Sequence, residues 1–306
     1  MEDLTLILDK YVNLMEDSGF KAVYGDKDNK PLLIYLLNIV LPEGVVVKDV
    51  VAYRDRERSA STIYGNSVRL DLLCQGEDGS LFDVEVQRDY QEYFFERCLY
   101  YASELNYTQL QKGDDYDSLR PVYLISFLDF KLKHEDESQW DSDHIISRYR
   151  MTEERTGELG SKQIIIIFAE ISRFIKERSE CKSENDRLFY WFKKGWQFSE
   201  EPKELEGDSN MKSLMKACDI AGFPPEKLIE YQKQVMNERD ARNIIKSAER
   251  RGREEGREEG REEERLANEN KLIASAKKMV NAGIDVDLVC STLGVDKSIL
   301  LQNVNS

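Results

Sequence analysis

Two short stretches bring carboxylates to one side of an expected hairpin. In 67–75, Val68, Leu70 and Leu72 alternate with Arg69 and Asp71; in 81–87, Phe82, Val84 and Val86 alternate with Asp83, Glu85 and Gln87. A period of two puts the apolar residues on one face of each strand and the polar residues on the other. The intervening Gly76-Glu77-Asp78-Gly79 reads as a tight turn. Both apolar faces lie on one side only if paired residue numbers have an even sum, and a sum of 156 fits the turn. That register sets Asp71 opposite Glu85, Arg69 opposite Gln87 and Leu73 opposite Asp83. A slip by one residue would turn the charged set into the core. Facing carboxylates repel, so Arg69, a proton or a divalent cation must compensate. Two carboxylates plus water form an oxygen donor set that magnesium accepts, and such an ion suits phosphodiester hydrolysis. The same alternation also describes an ordinary solvated hairpin face neutralised by Arg69.

Other catalytic chemistries have little to work with. His134 and His144 are the only histidines, and the five cysteines, Cys74, Cys98, Cys181, Cys218 and Cys290, contain no CxxC pair. Structural zinc, a disulfide framework and imidazole catalysis are therefore not expected, and a metal would be carboxylate-held magnesium or manganese. The 306 residues carry 44 Lys and Arg against 59 Asp and Glu, a net charge of −15. Residues 1–130 hold 13 basic against 24 acidic side chains. That balance opposes phosphate binding, which uses lysine and arginine. The longest apolar runs, Leu32–Leu37 and Ile164–Ala169, are far below the roughly 20 residues of a membrane helix. The acidic start MEDLTLILDKY lacks a signal peptide's basic region, so a cytoplasmic location and no membrane partner are expected.

The elements around the hairpin follow from periodicity. Residues 3–16 and 29–41 read as helices, the second with Asn29 as cap and Pro31 in its first turn. Val45–Tyr53 is β-branched; 91–112 reads as a helix ending at Gly113. Pro121–Phe130, His144–Met151 and Gln163–Phe168 read as strands, the last through four consecutive isoleucines. Residues 184–194 and 211–221 look helical. Helices and strands in this order predict an α/β or α+β fold, a mixed sheet flanked by helices. The expected organisation is a sheet domain over 1–200, a helical connector over 201–238 and a helical tail over 239–306.

The tail repeats Gly-Arg-Glu-Glu at 252–255, 256–259 and 260–263. Residues 239–265 hold nine basic and nine acidic side chains, a solvated charged helix weakened by its glycines. Short amphipathic helices over 271–283 and 285–302 suit a capping or self-associating hairpin, so homo-oligomerisation through the C-terminal helices is expected. A DNA-reading helix-turn-helix there would have Lys297 alone as the base of its second helix.

The stretch Asp17-Ser18-Gly19-Phe20-Lys21-Ala22-Val23-Tyr24-Gly25, then Asn29 and LLIYLLNIVL at 32–41, resembles the opening of the Rpn family of recombination-promoting nucleases, also called PD-(D/E)XK nuclease family transposases. Leu70-Asp71, Glu85-Val86-Gln87, Arg97, Tyr100-Tyr101, Gly113, Tyr116, Pro121 and IIFAEISRF at 166–174 continue the likeness in order. The resemblance implies a PD-(D/E)XK restriction-endonuclease-like core, and it implies Asp71 and Glu85 as ligands of magnesium or manganese. It implies the Val86 backbone carbonyl as a third ligand and Asp17 as an additional acidic position. Gln87 stands where the wider superfamily has lysine. Glutamine can hydrogen-bond water but is neither base nor cation, so either metal-bound hydroxide suffices, or a nearby lysine such as Lys21 substitutes, or cleavage is slow.

The expected function is a magnesium-dependent DNA endonuclease, linked by the resemblance to recombination, mobile elements or phage defence. Gln87 would position the attacking water. Arg173, Lys176, Lys193 and Lys194 lie in the most basic stretch and are the expected nucleic-acid contacts. Tyr190, Trp191 and Trp196 lie among or beside them, in keeping with base stacking, although Phe189, Trp191 and Phe192 also suit a helix core. The rival expectation is a catalytically inactive scaffold that assembles through its helical tail.

Overall fold

The computed structural model describes residues 9–54, 72–134, 136–140, 143–200, 202 and 208–304. The alternating and β-branched segments form one six-stranded sheet: β1 (Val50–Arg54), β2 (Leu72–Gly76), β3 (Leu81–Gln87), β4 (Val122–Leu128), β5 (Ile146–Tyr149) and β6 (Ile164–Glu170). Their spatial order is β1-β2-β3-β4-β6-β5. The first three strands are antiparallel neighbours, β3, β4 and β6 run parallel, and β5 returns antiparallel at the edge.

The expected hairpin register is present: Leu72 pairs with Val84, Leu73 with Asp83 and Cys74 with Phe82. The turn holds Gly79 at φ 86°, a left-handed conformation that glycine enters without strain, and the Gly76 N–H donates to the Ser80 carbonyl at 2.9 Å. The isoleucine run becomes β6, between β4 and β5, with Ile165, Ile166 and Ile167 buried. Near-continuous apolar sequence is what a parallel strand covered on both faces requires.

Helices cover both faces. Those with ranges α1 (Asp17–Tyr24), α2 (Lys30–Val40), α3 (Phe94–Tyr107), α4 (Glu184–Lys194) and α5 (Ser209–Cys218) precede the long α6 (Pro225–Asn281), then α7 (Val286–Leu293) and α8 (Lys297–Val304). One face of the sheet packs on α1, α2, α4 and α5 in a large core that includes Phe20, Leu36, Val84, Val86, Phe127 and Trp191. Phe127 stacks on Phe192 at 4.8 Å, and Trp191 Nε1 donates to Cys218 Sγ at 3.4 Å. The other face is covered by α3, whose Phe94, Cys98, Ala102 and Leu105 meet Leu73, Leu124 and Phe168. Their spacing is the stripe of an amphipathic helix.

The opening segment differs from expectation. Residues 9–16 are not helical. Tyr11, Val12, Leu14 and Met15 are all buried, but the chain pairs with the end of α5 through a bridge between Tyr11 and Asp219. The Val12 N–H donates to Cys218 O and the Ile220 N–H to Lys10 O.

The chain divides into compact units over 1–235 and 236–306, the boundary falling within α6. Tyr231 and Val235 still belong to the large core. The Gly-Arg-Glu-Glu repeats are helical and exposed. In the second unit Ala276, Val289 and Leu300 form a small core. Among the described residues no helix is long and apolar enough to cross a membrane.

Candidate active site

The hairpin's polar face is not the solvated surface that alternation alone suggests. Leu73 and Leu81 share it with Asp83 and Glu85, and α3 lies over all four. Asp83 is fully buried and Glu85 is 4% exposed. Both therefore sit in a desolvated layer that ordinarily excludes carboxylates.

Each contact of Glu85 comes from a neighbouring element. β4 runs parallel to β3 with Glu85 beside Ser126, and the Ser126 hydroxyl donates to Glu85 Oε1 at 2.9 Å. From α3, the Cys98 thiol lies 3.9 Å from the same oxygen, and Arg97 Nη2 lies 3.8 Å from it. Burial pushes the Glu85 carboxyl above its ordinary range, with Arg97 and the Ser126 and Cys98 contacts opposing that rise.

Gln87 lies two residues on, at the end of β3. Its Oε1 accepts from Arg97 Nη2 at 2.9 Å and its Nε2 donates to Asp89 O at 3.0 Å. Arg97 thus joins Glu85 to Gln87. Arg97 Nη1 also donates to Gln91 Oε1, and the guanidinium lies 4.9 Å from the Phe94 ring centre. The Val86 side chain belongs to the opposite core. The Gln87 carbonyl accepts from Asp129 N on the β4 side; because successive strand carbonyls alternate in direction, the Val86 carbonyl points towards the β2 side.

The remaining expected ligands stand apart from this group or outside it. Asp71 and Arg69 lie outside the described residues; Asp71 directly precedes Leu72, whose partner is Val84. Asp17 begins α1, the helix on the other face, where it is ion-paired with Lys21. It makes no hydrogen bond or ion pair with Glu85 or Gln87, and Lys21 is held beside Asp17 rather than beside Gln87. The start of α1 is nevertheless fastened to the end of β3, since Arg88 Nη1 meets Glu16 Oε1 at 2.6 Å. Among the described residues no three His, Cys, Asp or Glu side chains converge as an ion site. The donor chemistry of Glu85, a desolvated carboxylate, fits a hard divalent cation.

The four expected nucleic-acid contacts have different surroundings. Arg173 is 3% exposed and its guanidinium is taken up inside the protein. Its Nε meets Glu170 Oε2 at 2.8 Å and its Nη1 donates to Trp140 O at 3.2 Å. Glu170, at the end of β6, is fully buried and also accepts from Leu132 N at 2.8 Å; the pair fastens the 129–140 segment over the sheet end. Lys193 is likewise occupied, donating to the Ser172 and Phe174 carbonyls. Burial lowers its ammonium pKa, and Lys194 adds to that. Lys176 meets the largely buried Asp186 at 2.9 Å, and Lys194 meets Glu177 at 3.4 Å at the surface. Tyr190 and Trp191 are core residues, within a run from Leu188 to Phe192 that is buried throughout, so the aromatic side chains among the bases serve the core. In the tail, Lys297 pairs with Asp287.

The residue that the sequence reading leaves without a role is Arg97. Its spacing from Gln87 carries no pattern; only its place one turn into α3, beside a Phe94–Cys98–Ala102 stripe that must face the sheet, points to it.

Compared with known proteins, residues 14–248 match the family model described as PD-(D/E)XK nuclease family transposase. No curated protein matches the chain, and no solved structure matches it.

Proposed function

This chain belongs to the PD-(D/E)XK nuclease family transposases, and we propose that it is a divalent-metal-dependent DNA endonuclease built on Glu85 and Asp71. The match and the mixed sheet with flanking helices support a nuclease-type function. The observation that carries the finer reading is Glu85, a carboxylate buried under α3 at the expected hairpin register, hydrogen-bonded and next to a cation. A buried acid among these partners is costly for stability alone and is the kind of group that functional sites retain.

Magnesium or manganese bound there would lower the pKa of water and offset charge on the phosphodiester. Glu85 and Asp71 would hold it, with the Val86 carbonyl as a further oxygen donor and Asp17 as an outlying acid. Gln87 keeps one amide hydrogen for a water molecule, its oxygen being engaged by Arg97. Ser126 fixes which Glu85 oxygen is turned inward. α3 excludes solvent from the layer, which strengthens each of these interactions.

A scaffold role rests on a different observation, the separate 236–306 unit with its exposed charged helix and small core. We place homo-oligomerisation there, as an addition to the nuclease rather than in its stead. Supercoiled plasmid and structured RNA incubated with magnesium, manganese or EDTA test the reading. Nicking or linearisation of DNA in metal, stopped by EDTA, is expected. Cleavage of RNA alone would replace the substrate, and DNA cleavage undiminished in EDTA would remove the metal.

A further inference from the structure

Arg97 occupies a position that neither Gln87 nor Lys21 can fill. The candidate site holds buried acids and would receive a phosphodiester, yet Gln87 has no charge and Lys21 is ion-paired with Asp17 on a helix of the other face. The one cationic side chain in contact with both Glu85 and Gln87 among the described residues is Arg97. Its guanidinium is held on several sides. Nη2 donates to Gln87 Oε1 at 2.9 Å, Nη1 donates to Gln91 Oε1, and the rings of Phe94 and Tyr101 lie 4.9 and 5.8 Å from its central carbon. The side chain keeps 27% exposure, enough for a ligand to reach. Its Nε–H is buried and has no hydrogen-bond partner among the described residues, so the N–H donors open to a ligand are those that Nη1 and Nη2 keep beside their single bonds to Gln91 and Gln87. A structural arginine at a helix–sheet seam normally satisfies its whole fork on protein acceptors.

We propose that Arg97 is the cation of this site: it fixes the Gln87 amide through Oε1 and presents positive charge beside Glu85 to the phosphate of a bound nucleic acid. The assignment rests on the nuclease reading above and deepens it. A planar guanidinium suits a phosphate, which it can meet through two parallel N–H donors. A charge preorganised on α3 needs no rearrangement as negative charge develops on the transferring group. Before metal arrives, the same guanidinium offsets the Glu85 carboxylate; once a divalent ion is bound, the two cations repel. Arg97 is therefore expected to weaken metal binding while assisting the reaction.

That opposition gives a test that fold damage does not mimic. Wild type, Arg97→Gln, Arg97→Lys and the double variant Arg97→Gln/Gln87→Lys are compared on plasmid cleavage, DNA affinity, manganese affinity by calorimetric titration, and melting temperature in EDTA. Arg97→Gln should lower kcat by about 100-fold, a loss larger than its fall in melting temperature in EDTA accounts for, while tightening manganese binding about tenfold. Arg97→Lys should retain more activity than Arg97→Gln, and the double variant should recover at least about tenfold by returning a cation from β3. Unchanged cleavage by Arg97→Gln, equal losses in the Gln and Lys variants in step with melting temperature, or no recovery in the double variant would each overturn the assignment alone. Wild type that binds manganese but cleaves nothing would overturn the nuclease reading and Arg97's role with it.

Discussion

At the scale of single residues, Glu85 sets stability against function. Its carboxylate is buried, and burial raises its pKa against the pull of Arg97 and Ser126. In the folded chain without metal, a neutral side chain of the same shape is favoured. Glu85→Gln keeps the Ser126 contact and removes the desolvated charge, so it should stabilise the metal-free protein by about 1 kcal/mol. For a domain of this size that raises the melting temperature by about 2–4 °C. The same variant should lose manganese affinity, and melting curves in EDTA and in manganese check both halves. Asp186 shows the opposite balance. Burial alone would raise its pKa, but the hydrogen bonds from Lys176 and Ser183 outweigh it and hold the carboxyl low. Its contribution is complete above the unfolded carboxyl pKa of about 3.9 and disappears as pH falls through the lower folded value. Asp186→Asn should therefore unfold with a shallower pH dependence below about pH 4, read from denaturant midpoints across that range.

Among elements, α4 and α1 decide how firmly the site is framed. Ser183 and Asp186 cap α4 reciprocally, Ser183 Oγ accepting from Asp186 N and Asp186 Oδ2 from Ser183 N. Ser183→Ala should cost about 1 kcal/mol, measured by chemical unfolding. Gly19 brings α1 against the 9–16 segment; a Cβ there would stand 2.1 Å from the Asn13 carbonyl oxygen. Gly19→Ala must push α1, and Asp17 with it, off the sheet, at a cost of about 3 kcal/mol or less. The sheet was legible at this scale. Period-two alternation in 81–87 was enough for the hairpin register, and four isoleucines were enough for β6. The burial of the polar hairpin face was not legible, because it depends on α3, a helix that arrives from a later stretch of chain. The same holds for Arg173: its basic character is plain in sequence, but the buried Glu170 that claims it belongs to the end of β6. The 9–16 segment has apolar spacing that also fits a helix; its bridge and turns depend on pairing with the distant end of α5.

For the whole molecule, acidity and division into two units govern behaviour. The net charge is −15, and two of the four expected DNA contacts, Arg173 and Lys193, are bonded internally, so little net positive charge is set against DNA. The slope of log affinity against log salt should be shallow, below about 4 in magnitude; a steeper slope would place more basic contacts on DNA than the fold presents. The 1–235 unit contains every described site residue. The three repeat glycines have nothing within 4 Å of an added Cβ, so changing all of them to alanine should raise helicity and leave cleavage intact, each substitution favouring the helix by up to about 1 kcal/mol. We propose that two carboxylates of one hairpin hold a metal for DNA cleavage. Magnesium-dependent nicking of supercoiled plasmid by wild type, Asp71→Ala and Glu85→Ala, all shown folded by melting, tests it most directly. Cleavage by wild type and its loss in both variants is the predicted result; cleavage surviving in either variant would contradict the site.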